Sequence, residues 1–187
     1  MRDDDIALDP RTLRGLAHPL RVRLLNLLRK GGPSTATRLG EQLGQSSGAT
    51  SYHLRQLALY GFVVEDAERG TGRERWWRAA HGRTVLTPEE SRQSWEVAEG
   101  YLRAVAQADF QRTEAAIADL PAMPREWQDI LFLSTDLLEL APARAAELST
   151  RLKTLIAEFA TDPSAAPAAR VAVQWQLLPL PAAEERG

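Results

Sequence analysis

The chain contains no cysteine, which excludes disulfides, thiolate metal sites and thiol redox sensing and leaves histidine and carboxylate as the only strong metal ligands. The three histidines, His18, His53 and His81, are far apart in sequence and none has a partner at ligand spacing, so neither a metal nor any other cofactor is expected. There is no run of about eighteen apolar residues and no charged-then-apolar N-terminal signal. Neither a membrane span nor export is indicated, and a cytoplasmic, nucleoid-associated protein is the expectation. Lysine is scarce: Lys30 and Lys153 are the only two among 23 basic residues. High-GC coding gives an arginine excess as readily as phosphate recognition does, so this bias decides nothing. No nucleophile, base and orienting acid stand together in a recognisable motif, and Ser51 and His53, two apart on a helix, diverge. No enzyme is expected.

What is present is enough apolar material for a core, 44% of 187 residues, and length for one large or two small domains. The net charge of −2 taken alone argues against nucleic acid, but it is unevenly divided. Residues 11–83 hold 13 basic and 5 acidic side chains, whereas the rest of the chain holds 10 basic and 20 acidic. A basic module attached to an acidic one is the pattern expected when only one part meets phosphate.

Residues 1–9 carry Asp3, Asp4 and Asp5 and little apolar content, and read as a flexible tail. Asp9 and Pro10 supply an N-cap and a first-turn proline for a short helix with Leu13 and Leu16 inward. After His18-Pro19 a second helix places Leu20, Leu24, Leu27 and Leu28 inward and stops at Gly31-Gly32-Pro33. Ser34 or Thr35 caps a third, with Ala36, Leu39 and Leu43 as its inner face. Gly44-Gln45 is a tight turn.

The stretch that follows, residues 46–61, opens on Ser46 as a cap and closes on Gly61, which suits a left-handed C′ position. Thr50, Leu54, Leu57 and Ala58 recur at helical spacing on one side, while Ser47, Gly48, Ser51, Tyr52 and Arg55 fall on the other. Small residues at the N-terminal end let its backbone approach a partner before Tyr52 and Arg55 reach out, a shape that suits a major groove. The period then becomes extended at Phe62-Val63-Val64 and again at Arg75-Trp76-Trp77-Arg78. Between them lies Arg69-Gly70-Thr71-Gly72-Arg73, and two strands joined by an arginine-flanked glycine loop form a wing that can follow phosphates or enter a minor groove.

Leu16-Ala17-His18-Pro19-Leu20-Arg21 with Leu24-Leu25, then Leu39-Gly40-Glu41-Gln42-Leu43-Gly44, Ser51-Tyr52-His53-Leu54-Arg55-Gln56-Leu57 and Gly61-Phe62-Val63 resemble the ArsR-type winged helix-turn-helix regulators of bacteria. The resemblance covers about residues 10–83, and it implies a winged-helix DNA-binding domain, a dimer and effector-dependent operator binding. Metal-sensing members carry a cysteine pair in the helix corresponding to residues 37–41. This chain has none, so metal sensing is not carried over.

In the second half, Thr87-Pro88-Glu89-Glu90 combines N-cap, first-turn proline and capping-box glutamate, and no strong breaker follows before Pro121. A long linker or dimerisation helix over residues 87–120 is expected, with Trp95, Ala98, Leu102 and Val105 on one stripe and Ala106, Phe110, Ile117 and Leu120 on a neighbouring one. About thirty helical residues span about 45 Å, more than a small wing domain covers, so a second chain is the expected cover. Residues 121–179 read as strand, helix, strand: an apolar stretch over 130–140 that fits a strand or a buried helix, with the strand favoured; a helix from Pro142 with Ala145, Leu148, Leu152, Leu155 and Phe159 in line; and an alternating strand at Val171, Val173, Trp175 and Leu177. Residues 180–187 read as a disordered tail.

The fold class expected is mainly α with small β: a winged helix-turn-helix, a long helix and a small α/β C-terminal region for dimerisation or effector binding. Double-stranded DNA is the expected partner, met by Ser46, Ser47, Gly48, Ser51, Tyr52 and Arg55 on the reading helix and by Thr35, Thr37, Arg69, Arg73 and Arg75 at the phosphates. Arg55 can bond guanine or phosphate, and capping alone also explains Thr35 and Thr37. Trp95, Tyr101, Leu102, Phe110, Trp127 and Trp175 either line an apolar pocket for a small organic effector or fill the core and a homodimer interface. A dimeric repressor on a pseudo-palindromic operator is expected; the alternative is a winged-helix module for protein partners without sequence-specific DNA binding.

Overall fold

A computed structural model of the chain describes residues 5–69, 74–160 and 171–180. The chain divides into two units, residues 1–123 and 124–187.

In the first unit, β1 (Asp5–Ala7) leads into α1 (Pro10–Leu16), α2 (Pro19–Gly31), β2 (Ser34–Thr35), α3 (Ala36–Leu43), α4 (Ser47–Leu59), β3 (Val63–Glu65), β4 (Trp76–Ala79), β5 (Arg83–Val85), α5 (Pro88–Gln93) and α6 (Trp95–Asp119). Local chemistry sets most of these boundaries. Asp9 and Thr12 close a capping box on α1. His18 caps α2 through Nδ1, which accepts from the Leu20 amide at 3.1 Å, and Pro19 follows where its missing N–H costs nothing.

Helices α1 to α4 and the wing share one core, with Ala98 of α6 packed into it. Leu13, Leu16, Leu24, Leu25, Leu28, Leu39, Leu54, Leu57, Phe62 and Val63 are all buried there, with Trp77 closing it from the wing. The wing sheet has the order β2-β4-β3, and β3 and β4 run antiparallel with Val63 opposite Ala79 and Glu65 opposite Trp77. The short β2 adds a third, antiparallel strand, with Thr35 opposite Trp76.

The sequence and the structure differ in four places. The expected N-terminal tail is partly structured: Asp5–Ala7 pairs in parallel with Arg83–Val85, and Leu8 is fully buried, because this distant strand offers the ladder that the local sequence lacks. The expected continuous helix over 87–120 is interrupted at Ser94 (φ −141°, ψ 54°). Ser94 ends α5 by donating its amide to the Glu90 carbonyl and starts α6 by accepting from Val97 and Ala98 at its own carbonyl. The strands expected at 130–140 and 171–177 are also not formed: neither segment has a ladder partner among the described residues. Their apolar alternation is compatible with a strand, but a strand exists only where another chain segment supplies its hydrogen bonds.

The second unit contains α7 (Arg125–Gln128) and α8 (Pro142–Ala160). The helix expected from Pro142 is therefore present, with Ala145, Leu148 and Leu152 half-buried and Leu155 and Phe159 exposed. Of the expected 180–187 tail, residues 181–187 lie outside the described residues. The fold class is thus mainly helical with small sheets, and the sheets lie in the N-terminal unit.

Candidate nucleic-acid interface

The reading helix α4 is fixed at both ends. Ser46 caps it, its hydroxyl accepting from the Ala49 amide at 3.2 Å, and the Thr50 hydroxyl donates back to the Ser46 carbonyl at 3.0 Å. At the other end Gly61 adopts φ 79°, its amide donating to Ala58 and the Phe62 amide to Leu57. These paired bonds form a Schellman stop, in which the left-handed residue carries no Cβ penalty.

The turn before α4 is equally constrained. Gly44 is left-handed at φ 63°, and the Gln45 amide donates to the Gly40 carbonyl at 2.8 Å. A Cβ on Gly40 would sit 2.7 Å from the Gln45 carbonyl oxygen and 3.2 Å from Thr50 Oγ1. Glycine at 40 is what lets α3 and the turn into α4 approach.

This scaffold sorts the α4 side chains. Thr50, Leu54 and Leu57 are fully buried. Ser46, Ser47, Gly48 and Arg55 are exposed, Tyr52 is 52% exposed and Ser51 is half-buried. A Cβ on Gly48 would meet nothing within 4 Å, so the helix presents bare backbone there. The six reading-helix residues expected from the sequence therefore occupy one contiguous outer surface.

The flanking candidates are less uniform. Thr35 is buried, and its hydroxyl accepts from the Arg38 amide at 3.4 Å, so its side chain caps α3 from inside; Thr37 is exposed. Arg69 pairs with Asp66 and Arg75 with Glu65, both at 3.3 Å, and each arginine is more than half exposed. Arg75 also lies 5.9 Å from the Trp77 ring centroid. Arg73 and the wing tip, residues 70–73, lie outside the described residues. Sequence reasoning missed Arg38, which is exposed beside the wing with its guanidinium 5.0 Å from the Trp76 ring centroid. Its signal was an arginine at the first turn of α3, one position after Thr37.

The aromatic residues expected at an effector pocket or dimer interface fall on different faces within the first unit. Trp95, Leu102 and Phe110 are exposed on the outer face of α6, whereas Tyr101 packs against the core from another face. Tyr101 lines a cavity of about 260 Å³ with Leu16, Val22, Leu25, Arg29 and Asp109, and burial raises its phenol pKa. Trp127 and Trp175 belong to the second unit.

His18 and His53 meet within the fold, their ring centroids 4.3 Å apart. Tyr52 stands edge-on to His53 at 5.1 Å. Desolvation pushes both imidazoles below their ordinary pKa, helped at His18 by Arg21 and at His53 by His18 and Arg21.

Residues 16–66 match the family described as "Helix-turn-helix domain", a span that runs from the end of α1 to the start of the wing and includes α3, the turn and α4 whole. No curated protein matches the chain. Among solved structures, the chain is similar to AbfR in its disulfide-formed state, at 18% identity and a TM-score of 0.29, over 55% of this chain and 66% of that one. It is also similar to a doubly substituted mutant of Lactococcus lactis ZitR in apo form, at 15% identity and a TM-score of 0.29, over 75% of this chain and 81% of that one. Neither likeness bears on what this chain does. The helix-turn-helix match and the fold around α4 give the first unit a helix-turn-helix domain with a wing. No helix among the described residues is long and apolar enough to cross a membrane.

Proposed function

We propose that the chain is a homodimeric, sequence-specific transcriptional regulator of the ArsR type, a repressor whose residues 46–60 enter successive major grooves of a pseudo-palindromic operator from the two subunits. The observation that carries this reading is the partition of α4: Thr50, Leu54 and Leu57 lock it into the core while the small residues 46–48, Tyr52 and Arg55 face outward. Ser47 and Ser51 contact backbone or base edges, Arg55 reads a base, Thr37 hydrogen-bonds a phosphate through its hydroxyl or backbone N–H, and Arg69, Arg73 and Arg75 neutralise phosphates. Thr35 contributes through the helix start that its hydroxyl caps.

Support for the dimer comes from α6. Ala98, Ala104 and Ala108 are buried where α6 packs on α1 and α2. Trp95, Leu102, Phe110 and Ile117 form a second apolar stripe, between 42% and 63% exposed, on a different side of the same helix. A second copy of α6 covers that stripe.

A second reading keeps the fold and makes α4 a docking face for a protein, favoured by Leu59, 63% exposed at the end of α4 near Tyr52. Gel shift and footprinting on the protein's own promoter region separate the two. The regulator reading expects a protected two-fold site whose affinity falls steeply with salt; absence of any protected palindrome favours the protein-docking reading.

A further inference from the structure

A cavity of about 440 Å³ lies between the start of α2, the turn before α4, α4 itself and α6, lined by His18, Arg23, Gln45, His53, Gln107 and Gln111 among others. Its polar lining consists of cationic or cation-forming groups and amides, and among the described residues its walls contain no aspartate or glutamate. Arg23 is half-buried, and its Nη1 donates to a neutral group, Gln111 Oε1, at 2.9 Å. No carboxylate pairs with it among the described residues. Arg112 stands near enough to lower its pKa further, after desolvation, and Arg112 is itself paired with Asp109 at 2.5 Å. His53 Nδ1 is buried with no hydrogen-bond partner among the described residues.

A half-buried guanidinium whose partner is a neutral amide is costly unless an opposite charge joins it. Guanidinium, imidazole and amide N–H groups together match the lone pairs of a carboxylate or phosphate. We propose that this cavity is a binding site for a small oxyanion, held by Arg23 with His18, His53 and the amides of Gln45, Gln107 and Gln111. Because His53 lies on α4 and Gln107 and Gln111 on α6, an anion here touches the reading helix and the long helix at once. Its effect on operator binding rests on the function proposed above; its binding does not.

The test is proton NMR of the full-length protein titrated with inorganic phosphate at constant ionic strength. His81, outside the cavity, is the internal control. The proposal expects saturable shifts of the His18 and His53 ring resonances in the millimolar range, no comparable movement of His81, and a rise in both imidazole pKa values as a protonated ring gains a partner. Arg23→Gln should weaken half-saturation by about tenfold or more, Arg23→Lys should retain part of it, and Gln111→Leu should cost a few-fold, since it removes one neutral group. Thermal unfolding of each variant establishes that it folds.

Equal drift of all three histidines, shifts that do not saturate, or phosphate binding unchanged in a folded Arg23→Gln would overturn it. A DNA duplex then distinguishes the anion's source. If the duplex shifts the same two resonances and phosphate adds nothing, a backbone phosphate fills the site; if phosphate still binds, the ligand is free. Either result supports an oxyanion site, and both can be read even if no operator is found.

Discussion

His18 and His53 stand ring against ring, 4.3 Å apart and tilted by 37°, and so join the N-cap of α2 to the middle of the reading helix. The contact has two consequences. His18 Nδ1 must remain unprotonated to accept from the Leu20 amide, and a charge on either ring would face the other ring and Arg21.

The first prediction is therefore a loss of stability in acid. Both imidazoles have folded-state pKa values lowered from 6.5, by desolvation first. The unfolded chain thus takes up protons before the folded one does. Stability is complete above pH 6.5 and declines as the pH falls from there through the lower folded values. Thermal unfolding at pH 7.5 and pH 5.0 checks this, and His53→Gln should flatten the decline. Asp9 adds a separate loss at lower pH, because hydrogen bonds from Thr12 hold its carboxyl below the ordinary value of 3.8.

Gly40→Ala tests the turn. The added methyl would meet the Gln45 carbonyl oxygen at 2.7 Å, and backbone yields less readily than a side chain tip. Alanine's better helix propensity offsets about 1 kcal/mol, so a net destabilisation of about 1–2 kcal/mol is expected from the overpacking. Urea unfolding reads it, together with a loss of DNA affinity as α4 is displaced. Gly48→Ala is the control: with open space around it, it should leave stability unchanged or improve it.

Leu102→Glu and Phe110→Glu test the outer stripe of α6. Both side chains are exposed within one chain, so each change should alter the stability of the isolated subunit by no more than about 0.5 kcal/mol. If a second copy covers the stripe, each should weaken dimerisation by about a hundredfold or more, since an unpaired charge would be buried. Sedimentation of the wild type and both variants decides it. A wild type that is monomeric at micromolar concentration contradicts the dimer.

How much of this was legible in the sequence depends on how local the cause is. Both ends of α4 are written in adjacent residues, a serine cap and a glycine stop, and its buried face follows from helical spacing alone. The pairing of Asp5–Ala7 with Arg83–Val85 was not legible, since the two strands are remote and neither is strongly apolar. Ser94 is not a breaker residue, so the interruption there arises from how α5 and α6 each satisfy their end groups. The apolar pattern of α6 was visible, but not which stripe meets the core: the alanines at 98, 104 and 108 go inward because they let α6 approach α1 and α2, and the larger Trp95 and Phe110 are left outside. The His18–His53 contact and the cavity beside it join elements from four places in the chain, and no spacing rule reaches that far.

The central claim is that the outward face of α4 reads DNA sequence, and the most direct measurement is the affinity of the wild type and of Arg55→Ala for an operator duplex and a random duplex of equal length. Arg55 is exposed with no role in the core, so the variant should unfold like the wild type. Arg55→Ala is expected to lose about ten- to a hundredfold on the operator with a much smaller loss on random DNA, while Arg75→Ala weakens both duplexes alike. Equal losses for Arg55→Ala on the two duplexes, or a wild type that does not distinguish them, would contradict it.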